Sequence, residues 1–460
     1  MNKLFAYLDE QRLAHLDMAC RLMAQPSISP SGEGIAECAV LLRSMMDEAG
    51  VRTQVLETPG RPIVFGEVNV GSEFTVLFYG HYDVHQPGPP DLWLSPPFQP
   101  TVRDGRLYCR GAGDNKGQLM AHLLAVRAYL KTDTPLPVNV KFCFEGEEES
   151  SSEHLAWAVE RYREKLSADL VYTSDGPQHS SGAPTVLLGV RGILHVQVDC
   201  QASDRDHHSG NKGGAAPNAA WYMMQFLQSF WDGSPHVVAI PGFYDRVRPV
   251  TPLEHELIAR LPWDPVEIAR DLGLPDDQFS TTTPTDFYNR TIMRPTLNIC
   301  GFTSGYGGPF NRAIIPSKAT VKLDMRLVPD QDPDEMYRLF VDHAERVGKS
   351  IARAVGARFT VSRLGDMAPS RTPADRPEIQ AVIRAVRKGY GQEPVVMPSL
   401  GGSLPDYVWT RILRAPSVVV AYADHDEDNH APNEKISLVN FYNGIRCTTE
   451  VLAELGKLGR

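Results

Sequence analysis

Three apolar runs in the first half of this chain each deliver it into a polar cluster. Phe74 to Tyr79 leads into Gly80-His81-Tyr82-Asp83. Val138, Val140, Phe142 and Phe144 alternate into Glu145-Gly146-Glu147-Glu148-Glu149, and Leu170 to Thr173 ends at Ser174-Asp175-Gly176. Between the first two runs, Leu119, Leu123, Val126 and Leu130 form a stripe at helical spacing. Strands alternating with helices predict an α/β sheet flanked by helices, in which ligands collect beyond the carboxyl ends of the strands. All three polar clusters belong at such ends.

The pattern changes after Gly189. Leu194, Val196 and Val198 alternate with His195, Gln197 and Asp199, and Val321, Leu323, Met325 and Leu327 alternate with Lys322, Asp324 and Arg326. Both read as strands of a sheet with one solvated face. Met336, Leu339, Phe340, His343 and Val347 mark a helix. From about Pro369 the first style resumes, with a helix through Ile379, Ile383 and Val386 and a strand at 418–420. The expected organisation is an α/β domain formed by 1–190 and 369–460, interrupted by an inserted α+β domain over 191–368. Near the start, Leu13, Leu16, Cys20 and Met23 predict a helix that breaks at Pro26, and Thr281-Thr282-Thr283 reads as a loop.

A chain of 460 residues can bury a large core and is expected to form two or three domains. Its 46 basic against 56 acidic residues leave a net charge of −10, which argues against nucleic acid or an anionic membrane as partner. No stretch approaches the roughly 20 apolar residues of a bilayer span, and Asp9 and Glu10 interrupt any export signal. The seven cysteines are scattered and never form C-x-x-C, which excludes a thiolate zinc site of that type and a disulfide framework. A cytoplasmic location is the expectation.

His81 and Asp83 lie two apart at a strand end, so an extended backbone turns both side chains to one side. Gly111-Ala112-Gly113-Asp114-Asn115-Lys116-Gly117 places one acid in a glycine-rich bend before a helix. Adjacent carboxylates at Glu147, Glu148 and Glu149 repel one another and call for a nearby positive charge. Asp175 adds a further strand-end acid, and Asp424-His425-Asp426-Glu427-Asp428-Asn429-His430 adds two imidazoles among acids. Singly these read as a polar turn, a helix cap or a solvated loop. Converging on one sheet edge, they suit divalent cations with nitrogen and oxygen ligands: zinc first, manganese or cobalt as alternatives.

Gly80-His81-Tyr82-Asp83-Val84, Leu107 to Gly117 and Glu145 to Ser150 resemble the zinc exopeptidase family of carnosinase-like dipeptidases, aminoacylase and succinyl-diaminopimelate desuccinylase. The likeness spans nearly the whole chain. It is nearest to the cytosolic dipeptidase branch through Trp93, Pro97-Phe98, Asp206-His207-His208-Ser209-Gly210 and Ile315-Pro316 with Arg326-Leu327-Val328-Pro329. The resemblance implies a catalytic domain with a central mixed sheet, interrupted by a lid and dimerisation domain.

It further implies that Asp114 bridges two zinc ions, completed on one side by His81 and Asp175 and on the other by Glu149 and His430. Glu148 becomes the general base and Asp83 the partner that steadies His81. His208 becomes an oxyanion-stabilising donor reaching the other subunit's site. Arg326, on the polar face of its strand, is either a clamp for a substrate carboxylate or a solvated sheet residue, and Gly401-Gly402-Ser403 resembles a substrate-contacting loop or is a tight turn. Two dications would be balanced by the three carboxylates and one hydroxide. The resemblance also places a cis peptide at Asp114-Asn115. Glu147 adjoins the base and ligand, while His425 and His207 stand beside His430 and His208; Ser209 and Asn433-Glu434 favour the later member of each histidine pair. The expected function is hydrolysis of dipeptides or related small amides by a homodimer joined through the lid. The alternative is an N-acyl-amino-acid deacylase. A catalytically silent metal-binding protein is the reading from another class, against which an unligated Glu148 argues.

Overall fold

The computed structural model describes residues 1–234 and 236–459. Twelve strands build its two main sheets: β1 Arg52–Leu56, β2 Ile63–Val68, β3 Thr75–His81, β4 Asn139–Glu145, β5 Leu170–Thr173, β6 Thr185–Leu187, β7 Gly192–Gln201, β8 Thr296–Ser304, β9 Lys318–Leu327, β10 Arg358–Met367, β11 Val395–Met397 and β12 Ser417–Ala421. The larger sheet has the order β1-β2-β4-β3-β5-β12-β6-β11. It is mixed: β3 runs parallel to β4 and β5, and β5 parallel to β12, whereas β1, β2 and β4 pair antiparallel.

The central strands β3, β5 and β12 are almost wholly buried, as expected where both faces are covered. On one face pack the helices Lys116–Lys131, Pro377–Tyr390 and Leu438–Leu455, whose apolar residues share one cluster with Phe78, Phe142 and Tyr172. On the other, Leu155, Val159, Trp409 and Leu413 close over Leu77, Tyr79 and Val171. The antiparallel pair β1–β2 escapes sequence reading because β1 alternates only weakly and Gly66 interrupts β2.

The smaller sheet, order β8-β9-β7-β10, is antiparallel throughout. Leu194, Val196 and Val198 on β7 and Val321, Leu323 and Met325 on β9 face Met223, Phe226, Met336 and Phe340 of the helices Ala219–Gln228 and Pro333–Val355. The chain passes between the sheets twice, at Gly189–Gly192 and 367–371, where Ser370–Arg371 pairs with Gly189–Val190. A Cβ at Gly189 would lie 2.3 Å from the Ser370 carbonyl oxygen, and one at Gly192 would lie 2.6 Å from that of Met367. The two crossings can touch only because both positions are glycine.

One local expectation is corrected. The N-terminal segment forms two helices, Asn2–Glu10 and Arg12–Met23, and the second buries His15, Ala19, Leu22 and Met23 while Leu13 is 82% exposed. Small Ala19 lets the helix approach its neighbours, so the buried stripe is rotated from the one the leucines mark. The threonine run is the expected loop, and Thr283 at its end caps a short helix, Pro284–Tyr288, accepting from the Asp286 N–H.

Candidate metal centre

The ends of β3, β4 and β5 and the turn after β12 bring the polar clusters together. His81, Asp114 and Asp175 offer ligand atoms within 4.8 Å of one another, and so do Asp114, Glu149 and His430. Asp114 belongs to both groups. His81 Nε2 lies 3.1 Å from Asp114 Oδ1 and 3.5 Å from Asp175 Oδ2, while His430 Nε2 lies 2.9 Å from Glu149 Oε2 and 3.1 Å from Asp114 Oδ2. The Asp114–Asn115 peptide is cis.

His81 provides the test of what these donors fit. Its Nδ1 lies 3.1 Å from the Asp83 carbonyl oxygen and 3.4 Å from the Asp83 carboxylate, the arrangement that places the ring proton on Nδ1 and leaves Nε2 a lone pair. Nε2 is buried without a hydrogen-bond partner and faces two carboxylates. Three electron-pair donors converging on one point fit a cation. Without one, the ring itself must supply the charge: burial opposes the imidazolium, but the facing carboxylates of Asp114, Asp175 and Asp83 hold its pKa well above the ordinary range. Hydrogen bonds with Asp114 and Glu149 likewise raise His430 to about 10.

Asp83 does more than steady a histidine. Its carboxylate accepts the main-chain N–H groups of Glu149 at 3.0 Å and Glu148 at 3.3 Å, tying His81 to the turn that carries the adjacent acids. Glu148 belongs to neither donor group. Burial, reinforced by repulsion from Asp175, Asp114 and Glu149, raises its carboxyl well above the ordinary range; neighbouring dications would reverse that balance. Glu147 is engaged elsewhere, 3.0 Å from His154 Nδ1 and accepting the Arg61 N–H at 2.9 Å. His425 is exposed and belongs to neither group.

Arg326 and Ser403 meet, with Nη1 donating to Oγ at 2.9 Å. The residue after Ser403, Leu404, shares a cavity lining with Glu148 and Asp175. His208 is exposed on a two-residue strand paired with Ile314, its Nδ1 accepting the Gly210 N–H. It joins neither donor group within this chain.

Sequence reasoning assigned no role to Glu434, Arg110 or Gln118. Buried Glu434 accepts the N–H groups of Gly111, Gly113 and Asp114 at 2.9–3.0 Å and pairs with buried Arg110 at 2.6 Å. Gln118 donates to the Gly113 and Gly176 carbonyls and accepts the Tyr422 N–H, joining three strand-end turns. Their signals are faint: Glu434 stands out only as a neighbour of His430, and Arg110 is one residue of the Leu107–Gly117 motif.

Two cation-sized donor groups sharing a carboxylate at the carboxyl ends of a mixed sheet define a metal-dependent hydrolase. Residues 77–454 match peptidase family M20/M25/M40, and the chain belongs to that family. The Beta-Ala-His dipeptidase of Rattus norvegicus is 30% identical over 409 residues, covering 88% of this chain and 82% of that protein. The Cys-Gly metallodipeptidase of Schizosaccharomyces pombe is 26% identical over 100% of this chain and 99% of its own. Among solved structures, an M20 family metallo-carboxypeptidase from Sulfolobus solfataricus superposes with a TM-score of 0.85 at 33% identity, covering 96% of this chain and 99% of that one. Human carnosine dipeptidase 1 gives 0.79 at 27%, with 99% and 98% covered.

Proposed function

We propose that this metal-dependent hydrolase cleaves dipeptides, with His81, Asp114 and Asp175 holding one zinc ion and Asp114, Glu149 and His430 a second. The observation that carries the reading is the pair of donor groups sharing Asp114 with an uncommitted Glu148 beside them. The dipeptidase relatives support the substrate class. A pair of divalent cations held there would acidify water toward neutrality and polarise the scissile carbonyl. Glu148 takes the proton of the attacking water and delivers it to the leaving amine. Asp83 fixes the turn on which Glu148 and Glu149 sit. Arg326 and Ser403 hold the substrate carboxylate, a guanidinium fork matching its two oxygens.

The test is a panel on the zinc-loaded protein: dipeptides, longer peptides with a free carboxyl end, and acetyl and succinyl amino acids. Dipeptides are expected to be cleaved fastest. Activity confined to acylated amino acids would establish the deacylase instead.

Three further assignments belong to this proposal. Segments 1–190 and 369–460 form the catalytic unit and 191–368 the lid, in keeping with the larger sheet being built from strands within 52–187 and 395–421 and the smaller from strands within 192–367. The enzyme is cytoplasmic, in keeping with seven unpaired cysteines; among the described residues no helix is long and apolar enough to cross a membrane. Recovery in a secreted fraction would reject that location. Finally, the enzyme is a homodimer in which His208 serves the partner's site, where a donor aimed at the developing oxyanion is needed. His208→Ala and Glu148→Ala chains, each inactive alone, should regain roughly a quarter of wild-type activity when mixed, since half the dimers are mixed and one site in each is intact. No recovery under confirmed subunit exchange would reject the shared site.

A further inference from the structure

The chain leaving β3 passes both donor groups within five residues. Asp83 serves the first, facing His81 Nδ1, and also accepts the Glu149 N–H. His85, two residues on, serves only the second. Its main-chain N–H donates to Glu149 Oε1 at 2.9 Å. Its ring lies flat on the His430 ring, centroids 4.6 Å apart and planes inclined by 13°. Glu149 and His430 are the two donors that the second group does not share with the first.

His430 needs such support. It is half exposed and sits outside any helix or strand, on a turn where Asp428, His430 and Asn433 take φ values of 55°, 58° and 68°. His81, by contrast, ends a buried strand and is fully enclosed. A ring carried on a turn gives up rotational freedom when it takes a ligating orientation, and a parallel neighbour removes part of that cost beforehand. A ring that donates to a dication also becomes electron-poor, which favours a neutral aromatic face stacked against it.

We infer that His85 is a positioning residue for the second cation, acting on His430 through the face of its ring and on Glu149 through its main-chain N–H. The inference rests on the two-cation reading above. Its own Nδ1 lies 3.3 Å from the Gln86 carbonyl oxygen, so one ring nitrogen is occupied locally. Partners of this kind are worth roughly 10–100-fold in metal affinity.

The test is a zinc titration of the metal-stripped, full-length protein against a competing chromophoric chelator, with circular dichroism to establish that each variant is folded. Wild type should show two sites. His85→Ala should weaken one by about tenfold or more and leave the other unchanged, whereas His85→Phe, which keeps a flat ring, should stay within about threefold of wild type. Two unaltered sites in His85→Ala would overturn the inference. So would equal weakening in both variants, because a ring nitrogen rather than a ring face would then be at work. A wild-type protein binding fewer than two zinc ions would overturn the two-cation reading itself.

Discussion

Replacing Glu148 with Gln should lower kcat by roughly 10²–10⁴-fold, the span that a positioned acid–base group supplies, while the protein still takes up two zinc ions per chain. Glutamine keeps the shape of the side chain and removes its capacity to accept a proton. The substitution leaves every atom of both donor groups in place, because Glu148 contributes to neither. It also leaves the Glu148 N–H, which Asp83 holds, unchanged. KM should move little, since the loss is confined to the step in which a proton is in flight. Its neighbours make the result discriminating. Glu147 is paired with His154 and Arg61, so Glu147→Gln should keep most of the activity, and Glu149→Gln should lose zinc as well as turnover. If Glu148→Gln retains kcat within about tenfold of wild type, the proton acceptor lies elsewhere and the proposed mechanism fails.

The positions that could be read from the sequence share a physical property: their signal is local. A buried strand announces itself by an unbroken apolar run, and the residues just beyond its carboxyl end must lie at a sheet edge. That is why β3, β4, β5 and β12 and the acids after them were legible without a structure. Glu434 shows the opposite case. Its work is done across more than 300 residues of sequence, on the Gly111–Asp114 bend, and no periodicity or spacing records such a contact. The buried face of Arg12–Met23 was misread for a related reason: leucine spacing marks a candidate stripe, but burial is decided by which side neighbouring helices can approach. The meeting of Arg326 with Ser403 depends on how the two sheets are set against each other, which sequence alone does not state. The sequence offered Arg326 and Ser403 as two separate candidate substrate contacts, and their hydrogen bond is found only in the folded chain.

The largest loss of stability is expected at Glu434. Its carboxylate and the Arg110 guanidinium are both fully enclosed, 2.6 Å apart. Burial pushes the Glu434 carboxyl above the ordinary range even with Arg110 beside it, so the low-dielectric surroundings disfavour the charge and the guanidinium makes it tolerable. Arg110 depends on the pair in the same way: its other contacts are the carbonyl oxygens of Gln86 and Ala431, both at 3.2 Å, and the face of Trp93. Glu434→Ala therefore leaves a buried cation without its counter-charge and should cost about 3–5 kcal/mol in denaturant unfolding of the metal-stripped protein. Replacing both residues with methionine removes the stranded charge and should recover much of that loss. Zinc affinity should not recover with it, because the N–H groups of Gly111, Gly113 and Asp114 would still lack their shared acceptor and the Asp114 side chain its fixed starting point. A double variant that regained both would mean that the bend holds its shape unaided. A Glu434→Ala protein within about 1 kcal/mol of wild type would mean that the pair is not what makes the buried guanidinium tolerable.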